Sequence, residues 1–262
     1  MSAAAAAGGE RVRIVFDAAY GFDRPARALE IEIRARPLLG PEAAFAALRL
    51  AAEPEGYFEP TAYDRHGNGF DRLTLAGPVS RLRVNASFSH LLTPEAALPA
   101  VLPNPSDLAV EGDTEAASPL PWPEALGALR RHWAYTDDPR RQPQTLAEIA
   151  KLRSGSCEAA ARLALEMIRA QDVPARIVGG YRIAAMGAET RAVRRHAWIA
   201  VWDGEGWRAL DPLAAPGTRS LLLATAWGGT LADIAVIRGR FRDATSARLT
   251  VQAHAERLPA GA

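Results

Sequence analysis

The sequence predicts an α+β protein: an N-terminal antiparallel β domain over residues 10–92, a proline-rich connector over 93–123, and a helix-bearing core over 124–262. Three observations predict it. Several runs within about the first 90 residues alternate apolar and polar side chains with period two. Apolar residues recur at Ala160, Leu163, Ala164, Met167 and Ile168, which is a helical stripe. Asp203-Gly204 lies between two alternating runs and is the strongest short hairpin signal in the chain.

The β domain comes first. Residues 11–17 alternate and read as a half-buried strand. Tyr20 through Pro25 holds Gly, Asp and Pro and reads as a turn. Residues 29–36 alternate again, and Leu48-Arg49-Leu50 is a further strand. Asp64 through Gly69 is a turn cluster, followed by strands at 73–75 and 81–88. No chemical cluster appears in this stretch. His66 and His90 stand alone and read as surface or turn residues rather than metal ligands.

Seven prolines between Pro94 and Pro123 mark the connector. A helix is expected from Glu124 to about Tyr135, with Leu126, Leu129 and Trp133 on one face and Arg130, Arg131 and His132 in solvent. Asp137-Asp138-Pro139 is a turn. Thr145 and Glu148 have capping-box spacing and open a short helix to about Leu152.

Cys157 is the sole cysteine. It opens the helical stripe, with Ser154 or Ser156 available as cap and Pro174 beyond the end. Unpaired amides and the helix dipole at a helix start favour a sulfur anion, the nucleophilic form. The competing reading is a small buried hydrophobe.

Residues 175–183 read as a strand, 184–193 as a loop, and 196–202 and 207–211 as the arms of the hairpin. A two-residue turn places His196 opposite Asp211. A loop two residues longer makes them diagonal neighbours. Both geometries keep the two side chains on one face. A carboxylate beside an imidazole fixes its tautomer and stabilises the imidazolium. Trp198, Trp202 and Trp207 read as packing.

Composition removes other classes. With 31 basic and 30 acidic residues, no basic field invites nucleic acid or a membrane surface. One cysteine allows no intrachain disulfide. There is no stretch long enough to span a membrane and no signal-peptide pattern at the start, so a soluble cytoplasmic protein is expected. No metal-ligand cluster, phosphate loop or dinucleotide fingerprint appears, so no cofactor is implied.

Gly155-Ser156-Cys157, Val173 through Tyr181, His196-Ala197-Trp198 and Trp207 through Pro212 together resemble the bacterial transglutaminase-like superfamily, of the cysteine-protease type. Tyr20 through Pro25, Arg34 through Pro37 and Asp64 through Asn68 resemble its N-terminal β region. Ala226-Trp227-Gly228 and Asp233 through Gly239 resemble its C-terminal segment, with a last strand near 249–253. The resemblance implies a papain-like core with Cys157 as nucleophile, His196 as general base and then acid, and Asp211 as orienting carboxylate. The Cys157 amide would serve an oxyanion hole, with Gln144, Trp122 or Trp133 as a second donor. Two departures stand out: Ala159 where many relatives carry an acid, and Gly228-Gly229-Thr230 where many carry Gly-Arg-Asp. The expected activity is hydrolysis of a peptide or isopeptide amide in a protein or peptide substrate. The alternatives are protein-glutamine transamidation with the same triad, and a non-catalytic protein-binding module.

Overall fold

The computed structural model describes residues 10–38, 48–92, 120–138, 145–183, 190–215 and 221–258. Residues 93–119 of the connector and the candidate Gln144 lie outside the described residues. In chain order the elements are β1 (Glu10–Ile33), β2 (Arg49–Glu53), β3 (Tyr57–Phe58), β4 (Ala62–Tyr63), β5 (Gly69–Leu75) and β6 (Val79–Leu92). Then come α1 (Trp122–His132), β7 (Ala134–Tyr135), α2 (Leu146–Leu152), β8 (Ser154–Gly155) and α3 (Cys157–Arg169). The chain continues through β9 (Ala175–Ile183), β10 (Thr190–Trp202), β11 (Trp207–Leu210), β12 (Leu221–Gly228), β13 (Ile237–Arg242) and β14 (Ala247–Arg257). Apart from the short parallel pair β7–β8, the pairing is antiparallel, and the α+β class holds. Among the described residues, no helix is long and apolar enough to cross a membrane.

β1 corrects the first expectation. Tyr20 through Pro25 does not turn; the strand runs on for 24 residues. Its first half pairs β6 and β14, and its second half pairs β5 and β13. The β6 register lapses between Gly21 and Ala26, so Pro25, which has no N–H to offer, sits where β6 makes no ladder bond. Ala28 takes a positive φ of 48°, and the β13 register shifts between Arg27 and Glu30. These irregularities bend the strand from one sheet layer into the next. Val12, Ile14, Phe16 and Ala18 from the first half and Leu29, Ile31 and Ile33 from the second then face one core. Leu73, Leu82, Val84 and Phe88 fill it, and Tyr181, Ile183 and Val236 enter it from the later half of the chain.

The strand order β12-β9-β10-β14-β1-β5-β3 puts β14 between β10 and β1. Hydrogen bonding therefore crosses from residues 237–257 to β1, and the ladder does not break where the connector divides the chain.

The helices cover the other end. α3 packs Leu163, Ala164, Met167 and Ile168 among Ile177, Ala197, Ile199 and Val201 of β9 and β10. Ala125, Leu126 and Leu129 of α1, and Leu146 and Ile149 of α2, join the same core. α1 stops at His132 rather than near Tyr135, because Trp133 turns extended and Ala134 and Tyr135 pair with Ser154 and Gly155. Of the expected loop over 184–193, residues 190–193 belong to β10, and residues 184–189 lie outside the described residues.

Candidate active site

Cys157 is placed by the short chain between α2 and α3. Thr145 and Glu148 form the complete capping box that starts α2. Arg153 ends it in the left-handed region, φ 47°. Gly155 follows at φ 144°, a backbone state that side chains rarely adopt. Its carbonyl accepts from the Thr136 N–H at 3.0 Å and the Trp133 Nε1 at 3.2 Å. Ser156, not Ser154, is the cap, its Oγ accepting from the Ala159 N–H at 3.4 Å. Cys157 is thus the first residue of α3, half-buried, its own N–H among the first-turn amides that have no intrahelical acceptor.

The proposed oxyanion donors fare differently. The indole N–H of Trp133 is engaged by Gly155 and braces the cysteine loop. Trp122 anchors its backbone N–H on Gln171 Oε1 at 2.9 Å, just past the far end of α3. At 1.5 Å rise per residue that is about 20 Å from Cys157, so Trp122 cannot serve there.

The hairpin loop is four residues long. Trp202 pairs Trp207 and Ile199 pairs Leu210. Asp203 closes it: Oδ1 accepts from the N–H groups of Glu205 and Gly206, and Oδ2 from Arg208 Nε. His196 and Asp211 are therefore diagonal neighbours on one face. Their contact is His196 Nε2 to Asp211 Oδ2 at 2.8 Å, with 7% and 5% of the two side chains exposed. Asp211 Oδ1 accepts from the Leu213 N–H at 2.9 Å. Arg130, expected in solvent, is half-buried and donates to the Asp211 carbonyl at 3.4 Å. Trp198 stacks beside His196 with centroids 6.2 Å apart.

On one edge, β10 pairs β14 through residues 190–193 and β11 through residues 199–202. His196 lies in the middle of the interval between them. There it lies within electrostatic reach of Cys157. With Nε2 held by Asp211, Nδ1 is the nitrogen left for the sulfur. Burial works most strongly against a charged ring at this position. The bond to Asp211, the Cys157 side chain and the charges of both outweigh it and push His196 up to about 9. Asp211 is held below the usual carboxylate range: burial opposes this, but the His196 contact and charge, the Leu213 N–H and the Arg182 charge prevail. The structure brings Cys157, His196 and Asp211 together, with His196 bonded to Asp211 and beside Cys157.

Tyr135 escaped notice in the sequence, folded into the end of the expected helix; the alternating Trp133-Ala134-Tyr135-Thr136 was the available strand signal. It is 55% exposed. Burial and then the charge of Cys157 raise its hydroxyl, which places it near the sulfur. Ala159, the first departure, is a buried core residue. The second departure folds around Asp233, whose Oδ2 accepts from Gly229 N, Thr230 N and Thr230 Oγ1. Among the described residues no group of three or more His, Cys, Asp or Glu could hold a metal ion.

Residues 124–212, which contain Cys157, His196 and Asp211, match the family model of the Transglutaminase-like superfamily. A stretch of 104 residues is 33% identical to an uncharacterised protein of Mycobacterium leprae (strain TN), covering 37% of this chain and 37% of that relative's length. The fold is similar to the crystal structure of a "putative cysteine protease" from Cytophaga hutchinsonii, with a TM-score of 0.67 over 97% of this chain and 92% of that one. At 15% identity the likeness is one of fold.

Proposed function

Because the chain is a transglutaminase-like protein, with that core over residues 124–212, we propose that it is a cysteine-dependent amide hydrolase acting on a peptide or isopeptide. The observation that carries this reading is the line from Cys157 through His196 to Asp211, with His196 pushed up to about 9 between them. A ring held in that state is cationic near neutral pH, and a cation beside a thiol favours its ionised, nucleophilic form.

The Cys157 sulfur attacks the amide carbonyl, and the charge that develops on oxygen is met by the Cys157 N–H. The His196 imidazolium passes its proton to the leaving nitrogen; the C–N bond breaks and a thioester remains. The now neutral ring takes a proton from water, whose oxygen attacks the thioester. Carboxylic acid leaves and the sulfur is restored. Asp211 holds the ring's tautomer and stabilises its charge.

Iodoacetamide alkylation followed by intact mass tests this, since the mass shift reports on the sole cysteine. Wild type is expected to react fast at about pH 6, and His196→Ala to need about pH 8–9. Slow labelling in both, or the same ordinary thiol profile in both, defeats the reading. Product analysis with an added amine separates the acceptors: amine incorporation without release of acid identifies a transamidase instead.

A further inference from the structure

The two strands beside the nucleophile carry an arginine pair. Arg182 on β9 and Arg194 on β10 are direct cross-strand partners. Arg194 is two residues from His196, so both arginines stand on the sheet face that bears the imidazole. Like charges directly opposite each other are not a pairing that a sheet favours. Arg194 is exposed and makes no hydrogen bond or ion pair among the described residues. The nearest acid on α3, Glu158, is engaged by Arg195 at 3.3 Å, and Arg195 projects from the other face of β10. The charge of Arg194 reaches the Tyr135 hydroxyl, which also senses Cys157, Glu158 and Asp137. The charge of Arg182 reaches Asp211. The pair therefore flanks the reacting groups from the His196 side.

Accepting the nucleophile assigned above, we propose that Arg194, with Arg182 beside it, forms a carboxylate-binding subsite on the His196 side of Cys157. His196 delivers its proton to the leaving nitrogen, so whatever that nitrogen carries lies on this side. The guanidinium fork matches a carboxylate in two-point contact. The carboxylate is either the C-terminus of a short leaving peptide or the side chain of an acidic residue just after the scissile bond.

Iodoacetate and iodoacetamide test this without a known substrate. Each forms the same S–C bond and releases iodide; they differ in carboxylate against carboxamide. The ratio of their rates at Cys157 cancels changes in the sulfur's own reactivity. Arg194→Gln is expected to lower the ratio on the order of fivefold, the scale of a partly exposed ion pair. Arg182→Gln lowers it less, Arg194→Lys retains part of it, and added salt lowers it in wild type. Arg131→Gln, exposed on α1, leaves it unchanged. Protection from iodoacetamide by N-acetyl-Ala-Ala assigns a terminal carboxylate; protection by N-acetyl-Ala-Glu-amide assigns an acidic side chain. An unchanged ratio in Arg194→Gln overturns the proposal, as does protection that survives that substitution or is given by neither peptide. Failure of the nucleophile itself shows separately, as slow iodoacetamide labelling at every pH.

Discussion

His196 meets Asp211 at 2.8 Å, and His66 meets Asp233 at 3.4 Å, both through Nε2. The residue types are the same and the surroundings are not. Asp233 spends Oδ2 on Gly229 N, Thr230 N and Thr230 Oγ1, and shares Oδ1 between His66 and Arg65. His66 is then one of two partners of that oxygen, with its ring edge-on to Trp227, and the assembly ties the turn after β4 to the end of β12. Asp211 spends Oδ1 on a single backbone N–H and Oδ2 on the imidazole, with the Arg182 charge in reach. One carboxylate oxygen is bonded to the ring, and the ring also feels the Cys157 side chain. A His–Asp contact becomes a candidate for chemistry when the acid has few other partners and the ring has a second one.

The largest effect expected from this contrast is on turnover. Asp211→Asn should lower it by about 10³–10⁴-fold, as the wrong amide partner misorients an imidazole, and should move the alkylation profile of Cys157. Asp233→Asn should leave that profile in place and instead cost about 1–3 kcal/mol of stability in urea unfolding. If both substitutions move the alkylation profile alike, the contrast fails.

Next is pH. His196 rises from 6.5 to about 9 in the folded chain. A raised value means that the stabilisation is fully present below about pH 6.5 and is lost as pH climbs through about 9. That loss is on the order of 3 kcal/mol. Melting temperature should fall across this window in wild type, the fall should vanish in His196→Gln, and it should persist in His66→Gln.

A somewhat smaller effect belongs to the His66 side. Asn68 is fully buried and bonds both the N–H and the carbonyl of Trp227. Asn68→Ala strands both groups and should cost about 2–3 kcal/mol, with the alkylation rate of Cys157 unaltered. The smallest effect is Ser156→Ala, which removes the α3 cap for about 1 kcal/mol and should still slow alkylation, because it frees the turn that aims Cys157. Calorimetry beside labelling separates the two.

The site was legible in the sequence because its signals are local. Thr145 and Glu148, the stripe from Ala160 to Ile168, and Asp203-Gly204 each act over a few residues. Even the uncertain hairpin length did no harm, since loops of two and four residues preserve the same face. What stayed illegible depends on distant partners. Asp23 lies in the stretch that reads as a turn, yet its carboxylate accepts from Thr245 N and Ser246 N, and β14 holds that stretch extended. Arg130 sits in a polar run that reads as solvent-facing until the Asp211 carbonyl arrives. The helix end at His132 likewise depends on β8 coming alongside β7.

The place of β14 between β1 and β10 has a consequence for a chain still on the ribosome. β1 can pair with β6 as soon as residue 92 has emerged, but its other edge, from Val12 to Phe22, waits for residues 247–257. Pairing across so long an interval is slow, and an unpaired edge invites wrong neighbours meanwhile. Residues 190–193 wait for the same strand. Cys157 is translated long before the ladder that seats His196 can close. A nascent chain stalled short of residue 247 should therefore carry an ordinary thiol, and nucleophilic character should appear only once synthesis has passed β14.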